Sequence, residues 1–341
     1  MNAPLRLRLD SAALVANWRA LDAMSGRAAC GAAIKADGYG LGARGVAERL
    51  AAAGCRDFFV ATWAEAMALR DLDLPLAVFH GVRAEDMAAA AAGVARPVLN
   101  TPMQIARWRE AGGGPCDVMV DTGMNRLGVA PEDIGGGLLD GLDIVTLMSH
   151  LACADEDTAM NARQRDAFAA LAGRTGAARM SLANSSGIAL GADYAFDLTR
   201  PGLALYGGRQ RDEHRGIAQV VTPEAQVIQR RCVPAGGVVG YNATWRAPAD
   251  TEIAILNLGY ADGYFRGFSG TGIARVGDVV LPVLGRVSMD MIAIGVDAAP
   301  RLAEGDWVAL DYDLPAASAA SGMAQYELLT CLGARFDRCW L

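Results

Sequence analysis

The sequence predicts an α/β fold in two parts: an N-terminal (β/α)8 TIM barrel followed by a C-terminal, mainly β-strand domain. Three observations carry this. Up to about Gly208, eight short apolar runs alternate with helical patterns. After about Thr222 the helical periods nearly vanish, and alternating stretches rich in Val and Ile take over. The 341 residues, 52% apolar and 20% charged, suffice for one large or two medium domains with sizeable cores.

The elements follow in chain order. The opening MNAPLRLRLD has charges scattered through it, which is not the pattern of a signal peptide. Residues 1–9 are expected to pack on the C-terminal domain. The candidate strands are Ala28 to Ile34, Asp57 to Ala61, Leu76 to His80, Ala95 to Leu99, Cys116 to Val120, Asp143 to Ser149, Ala178 to Leu182 and Ala195 to Thr199. Thr62 and Glu65 form a capping box before a helix. Asn100 or Thr101 caps another, with Pro102 at its first position, Ile105 and Trp108 on one face, and Gly112 as the stop. A doubly wound open sheet is the alternative, and eight strands favour the barrel. The barrel is assigned to residues 10–215 and the β domain to 216–341, with Gly207 to Gly216 (GGRQRDEHRG) as the junction. TEIAILNLGY, IARVGDVVLPVLGRV and SMDMIAIGV supply strands of the second part.

Composition narrows the function. The net charge of −7 gives no electrostatic reason to expect nucleic acid or an anionic membrane as partner, and no apolar run approaches the ~20 residues of a spanning helix. Seven scattered cysteines without metal-like spacing fit reduced thiols and a cytoplasmic protein. Of the 31 basic residues, 30 are Arg and one is Lys, at position 35. A surface lysine is usually only a solvated charge. In this chain arginine has taken the solvated positions, so Lys35 marks a place where arginine cannot serve. An amine that must lose its proton and form an imine is such a place, because a guanidinium stays protonated.

A barrel puts its chemistry at the C-terminal ends of its strands. Lys35 follows the first strand, Asp121 to Arg126 the fifth, His150 the sixth, Asn184 to Ser186 the seventh, and Arg200 to Gly202 the eighth. Polar groups from five strands therefore converge on one face. Gly40, Gly42 and Gly45 spell G-x-G-x-x-G before a helix, but they start five residues beyond Lys35, and the next strand ends without an acid. That spacing disfavours a dinucleotide site.

IKADGYG, DTGMNRLG, HLACADE, ANSSG, TRPGLALYG, GYADGYFR and GRVSMD occur in this order. Together they resemble the motifs of alanine racemases, fold-type III pyridoxal-phosphate enzymes, over nearly the whole chain. The resemblance implies pyridoxal 5'-phosphate as cofactor, held by Lys35 as a Schiff base, with Lys35 as one of two catalytic bases. It implies that Tyr39, Ser185 and the amides of Gly202 and Leu203 bind the phosphate, with Asn184 beside them, and that Arg200 bonds the pyridine nitrogen. An arginine there could instead be a barrel-rim ion pair. Tyr260 would be the opposing base. A phenol ordinarily ionises near ~10, so Tyr260 would need help, which His150 and Arg200 would supply. Arg126 and the backbone amide of Met289 would bind the substrate carboxylate. His150, Tyr260 and Met289 also have plain structural readings. In the family the tyrosine reaches the barrel of a second subunit, so a homodimer with shared sites is expected.

The chain departs from the family pattern at three positions. Met119 stands where a carbamylated lysine usually orients the arginine equivalent to Arg126, so an anion such as chloride, an amide side chain or Asp121 turned inward is expected to take over. The alternative for Asp121 is to cap the following turn. Ser181 stands where a histidine often bonds the pyridine-binding arginine, and Ala334 aligns with a tyrosine that helps to bind phosphate. The resulting expectation is an alanine racemase supplying D-alanine for peptidoglycan or catabolising it. A broader racemase acting also on serine is an alternative. A fold-type III decarboxylase would want acidic residues for a distal ammonium and a longer chain. A single-barrel cofactor carrier lacks a β domain.

Overall fold

The computed structural model describes residues 3–341, so Met1 and Asn2 of the expected N-terminal segment lie outside the described residues. The first strand, β1 (Leu5–Leu9), buries Leu5, Leu7 and Leu9 on one face. Asp10 caps the helix that follows, Ser11–Met24, by accepting the Ala13 N–H at 2.8 Å. Leu14, Trp18 and Leu21 form its buried stripe.

The barrel begins with β2 (Ala29–Cys30) and β3 (Ala32–Ala33), two halves of one strand bent at Gly31. A Cβ at Gly31 would meet the Asp57 carbonyl at 2.8 Å and the Phe59 ring at 2.9 Å, so the approach to the next strand requires glycine. Then come β4 (Phe58–Val60), β5 (Leu76–Val78), β6 (Arg96–Leu99), β7 (Cys116–Met119), β8 (Ile144–Met148), β9 (Arg179–Ser181) and β10 (Leu198–Thr199). From β3 to β9 they pair in parallel in chain order. The ring closes through β10: the Arg200 N–H donates to Ala183 O at 2.8 Å, and the Gly31 N–H donates to Thr199 O at 2.9 Å. Each of the eight expected strand segments holds a strand of this ring, and the strands are shorter than the apolar runs. The Thr62–Glu65 capping box is present, and Thr101 rather than Asn100 caps Pro102–Glu110.

In the second sheet β11 (Val221–Val233) is central. Its first half pairs with β1, and its second half with β14 beyond a register shift between Val227 and Gln229. The other strands are β12 (Val238–Val239), β13 (Trp245–Arg246), β14 (Thr251–Leu256), β15 (Ile273–Val276), β16 (Val279–Leu284), β17 (Ile292–Gly295), β18 (Trp307–Leu310) and β19 (Asp337–Trp340). The sheet order is β14-β17-β16-β15-β18-β11-β1-β19, with β12 and β13 paired separately. Within the region read as β, two helices, Leu314–Ser321 and Gln325–Thr330, interrupt the strands. The first is Ala-rich with no alternation, starts with Pro315 in its first turn and stops at Gly322, where φ is +72°. No helix among the described residues is long and apolar enough to cross a membrane.

Leu7 is fully buried where β11 and β19 flank β1. Leu7→Ala should cost about 2–5 kcal/mol of stability. Chemical denaturation should show the midpoint falling while the slope is kept.

Candidate active site

A cavity of about 750 Å³ opens at the C-terminal ends of the barrel strands. Of the residues singled out by sequence, Lys35, Tyr39, Arg126, His150, Asn184, Ser185, Arg200, Gly202 and Leu203 line it, as does Met119. Tyr260 and Met289 do not. They lie together on the β domain, where the Tyr260 N–H donates to Ser288 O and the Ala261 N–H to Met289 O, both at 3.0 Å.

Lys35 leads out of β3 into an unusual turn. Ala36, Asp37, Gly38 and Tyr39 all have positive φ, and Gly40 follows at +83°. The Asp37 carboxylate accepts the Ala43 N–H at 2.9 Å, and Glu65, from the next barrel helix, accepts the Ala36 N–H at 2.7 Å. The lysine Nζ lies 5.7 Å from the centroid of the Phe79 ring. Burial lowers its pKa, the positive charges of Arg126 and Arg200 lower it further, and Glu65 opposes them.

The same turn aims Tyr39 across the cavity floor. Its ring stacks on Tyr206 at 4.7 Å, and its hydroxyl reaches Gly202, where any Cβ would collide with it. Opposite, Ser185 Oγ accepts the N–H groups of Gly202 at 3.0 Å and Ala204 at 3.1 Å. Asn184 caps the short helix Ser185–Ala189 by accepting the Gly187 N–H at 2.8 Å. Two hydroxyls and several backbone N–H groups at the start of two helical turns make a cradle suited to a phosphate.

Arg200 is the buried cation of the site. Nη2 donates to Ser149 O at 2.6 Å and Nη1 to Ser181 Oγ. Serine therefore takes over the bond expected of a histidine at 181. Burial lowers the Arg200 pKa to about 10, so it keeps its charge at neutral pH. The neighbouring His150 is pushed down to about 3, first by burial and then by the charges of Arg200, Arg126 and Lys35, which makes it a neutral imidazole. Gln164 holds its backbone, donating to His150 O at 2.9 Å and accepting the Ala152 N–H at 2.8 Å.

Arg126 sits on the rim with its side chain exposed, and no carboxylate among the described residues lies within ion-pair distance of its guanidinium. Asp121 does not turn inward toward it. It caps the turn, accepting the N–H groups of Gly123 at 2.8 Å, Asn125 at 3.1 Å and Arg126 at 3.0 Å. Burial pushes the Asp121 carboxyl up, but these backbone donors outweigh it and hold the pKa below the usual value.

Sequence reasoning missed Tyr326. It lies in the cavity wall, its ring 6.3 Å from Tyr39 and its hydroxyl donating to Gln210 Oε1 at 3.2 Å. It brings a phenol where the sequence pointed to a loss at Ala334, which does not line the cavity. The signal available was the polar-aromatic start of QYELLT, in a region read as β.

Comparisons with known proteins identify the family. A family model described as the alanine racemase N-terminal domain matches residues 9–210, and one for the C-terminal domain matches residues 220–340. The alanine racemase of Acidiphilium cryptum is 43% identical over 99% of both chains. The catabolic alanine racemase of Agrobacterium fabrum is 40% identical over 98% of this chain and 92% of its own. The crystal structure of the Bartonella henselae alanine racemase, which has covalently bound pyridoxal phosphate, superposes with a TM-score of 0.90 at 33% identity, covering 99% of each chain. The two domain matches span both the barrel with its cavity and the β domain carrying Tyr260, and the chain belongs to the alanine racemase family.

Proposed function

We propose that this protein is a cytoplasmic, pyridoxal 5'-phosphate-dependent alanine racemase that interconverts L- and D-alanine as a homodimer with shared active sites. Its product would serve peptidoglycan synthesis, or its substrate would be catabolised. The observation that carries this is the placement of the chain's single lysine in one cavity with Arg200, His150, Arg126 and a phosphate-sized cradle. The cradle passes a physical test of fit, since a side chain at Gly202 would fill it and displace the Tyr39 hydroxyl. Lys35 would hold the cofactor covalently. Tyr39, Ser185, Tyr326 and the Gly202 and Leu203 amides would hold its phosphate, with Asn184 fixing the Ser185 turn.

When bound, the cofactor supplies an electron sink that acidifies the Cα proton of the substrate. Racemisation then needs a proton removed from one face and returned on the other. Lys35 serves the face from which D-alanine loses its proton, with its amine pKa lowered by burial and by two arginines. Tyr260 of the partner subunit serves the other. In its own chain Tyr260 lies outside the cavity, beside Met289, which is 54% exposed. That position supports its delivery to a second copy. Gly259 lacks a side chain where one would strike the Met289 carbonyl, so the two loops stay together. The buried Asp262 accepts the Gly259 N–H at 2.9 Å and pairs with Arg335, which also reaches Asp290 at 2.7 Å. This clamp presents the tyrosine and the Met289 amide as one unit.

Arg200 would donate a hydrogen bond to the ring nitrogen without surrendering its proton, because its pKa stays near 10. His150, held neutral, can accept one hydrogen bond and donate another. That capacity is what a link from Arg200 to the phenol of Tyr260 of the partner subunit requires. Arg126 and the amide of Met289 of the partner subunit would bind the substrate carboxylate.

The shared site is tested by mixing two inactive variants, Lys35→Ala and Tyr260→Phe. After subunit exchange, about a quarter of wild-type D-alanine formation from L-alanine should return, since one of two sites in each mixed dimer is intact and half the dimers are mixed. No recovery in a mixture shown to exchange subunits contradicts it.

Arg126 also predicts independence from carbon dioxide. Met119 cannot form a carbamate, and the single lysine is committed elsewhere. Removing CO₂ and bicarbonate should leave kcat and KM unchanged, and intact mass should show no stable carbamate. Added chloride should lower KM if an anion seats against the guanidinium. A strong bicarbonate requirement would contradict the assignment.

A further inference from the structure

Five consecutive residues, Ala36 to Gly40, have φ between +52° and +83°. Each non-glycine residue in that region costs about 1–2 kcal/mol, and three of the five are not glycine. Such a turn persists only if its surroundings hold it. Inside the turn, the Gly38 N–H donates to Ile34 O at 2.8 Å and the Gly40 N–H to Ala36 O at 2.9 Å. The Ala36 N–H, where the handedness reverses, goes to a side chain instead, Glu65 Oε1 at 2.7 Å.

The other Glu65 oxygen, Oε2, accepts the N–H groups of Ala61 at 2.6 Å and Thr62 at 3.2 Å. A helix cap needs only that second oxygen. The first does nothing for the helix. It ties the segment leaving β3 to the segment leaving its parallel neighbour β4. Backbone donors face both oxygens, so a carboxylate satisfies the site and an amide does not: one end of a glutamine would set its own N–H₂ against a donor.

We infer that Glu65 is a positioning residue for Lys35, holding the reversed turn in the geometry that keeps the amine inside the cavity. The inference rests on the reading of Lys35 as the base for the D-isomer. The charges acting on that amine are Arg126 and Arg200 on one side and Glu65 on the other, with His150 neutral beside them. Glu65 is therefore also the one carboxylate opposing the two arginines there.

Two variants separate this role from plain helix capping. Glu65→Gln breaks the bridge. Thr62→Ala removes the hydroxyl that accepts the Glu65 N–H at 3.3 Å, weakening the same cap while the bridge stays. Amide hydrogen exchange of residues 34–42 in the full-length protein should quicken about tenfold or more in Glu65→Gln and about twofold or less in Thr62→Ala. The Cα-deuterium isotope effect should then rise in Glu65→Gln for D-alanine and fall for L-alanine, because only the lysine's proton transfer has slowed. Unchanged exchange in Glu65→Gln, or an equal increase in Thr62→Ala, overturns the inference. Faster exchange in Glu65→Gln alone, with isotope effects altered equally in both directions, overturns instead the reading of Lys35 as the D-side base, and with it the catalytic half of the inference. If Glu65→Gln does not fold, Glu65→Asp, whose shorter side chain cannot span both sets of donors, is read in the same way.

Discussion

The barrel mouth depends on one backbone constraint, the left-handed turn between Lys35 and Gly40. A right-handed continuation would carry Tyr39 to a different bearing from the strand. The reversal lets consecutive residues serve two purposes: Lys35 enters the cavity, and four residues later Tyr39 stacks on Tyr206 and reaches Gly202. The β domain also braces the turn. The carbonyl of Leu329 packs against Gly40 where a Cβ would sit, and Arg338 donates two hydrogen bonds to Gly40 O, at 3.0 and 2.8 Å.

That bracing connects the two halves of the chain chemically. Arg338 also reaches the Leu332 carbonyl at 3.3 Å, and the next residue, Gly333, donates its N–H to Asp262 O at 3.1 Å. Asp262 in turn fixes the loop of Tyr260. One continuous set of hydrogen bonds thus runs from the lysine turn to the tyrosine loop. In a shared-site dimer these two residues of one chain would serve different active sites. The electrostatics follow from burial. Burial first, and then the charges of Arg200 and Arg126, keep His150 neutral and lower the lysine pKa, so the cavity sets two arginine cations beside a neutral imidazole and an amine of lowered pKa.

Much of this was legible in the sequence, because the strands and their ends follow from local patterning. Eight apolar runs name the barrel, and the residues after five of them, together with the motifs of the resembled family, name nine of the cavity's lining groups. The lone lysine among arginines was a compositional signal with a chemical meaning. The left-handed turn was not legible, since Ala36 and Tyr39 carry no preference for positive φ, and the tolerance of one Asp, Asp37, for that region does not announce a run of five. Glu65 was legible as a cap, but its bond to Ala36 spans 29 residues and exists only once two parallel strands are side by side. Tyr326 was missed for a similar reason. Its helix interrupts a region whose patterning reads as strand, and tertiary packing alone brings it next to Tyr39. Asp121 could have faced Arg126 or capped its own turn, and local backbone geometry decides for the cap.

The central claim is that the protein's only lysine carries the cofactor. Its uniqueness makes the test direct. The holoprotein is reduced with labelled borohydride, digested with trypsin and mapped by mass. Modification blocks cleavage at Lys35, so the account predicts that all the label and the added cofactor mass appear on one uncleaved peptide, from Ala28 to Arg44. Cofactor retained after reduction with Lys35 unlabelled, or label found on any other peptide, would contradict it.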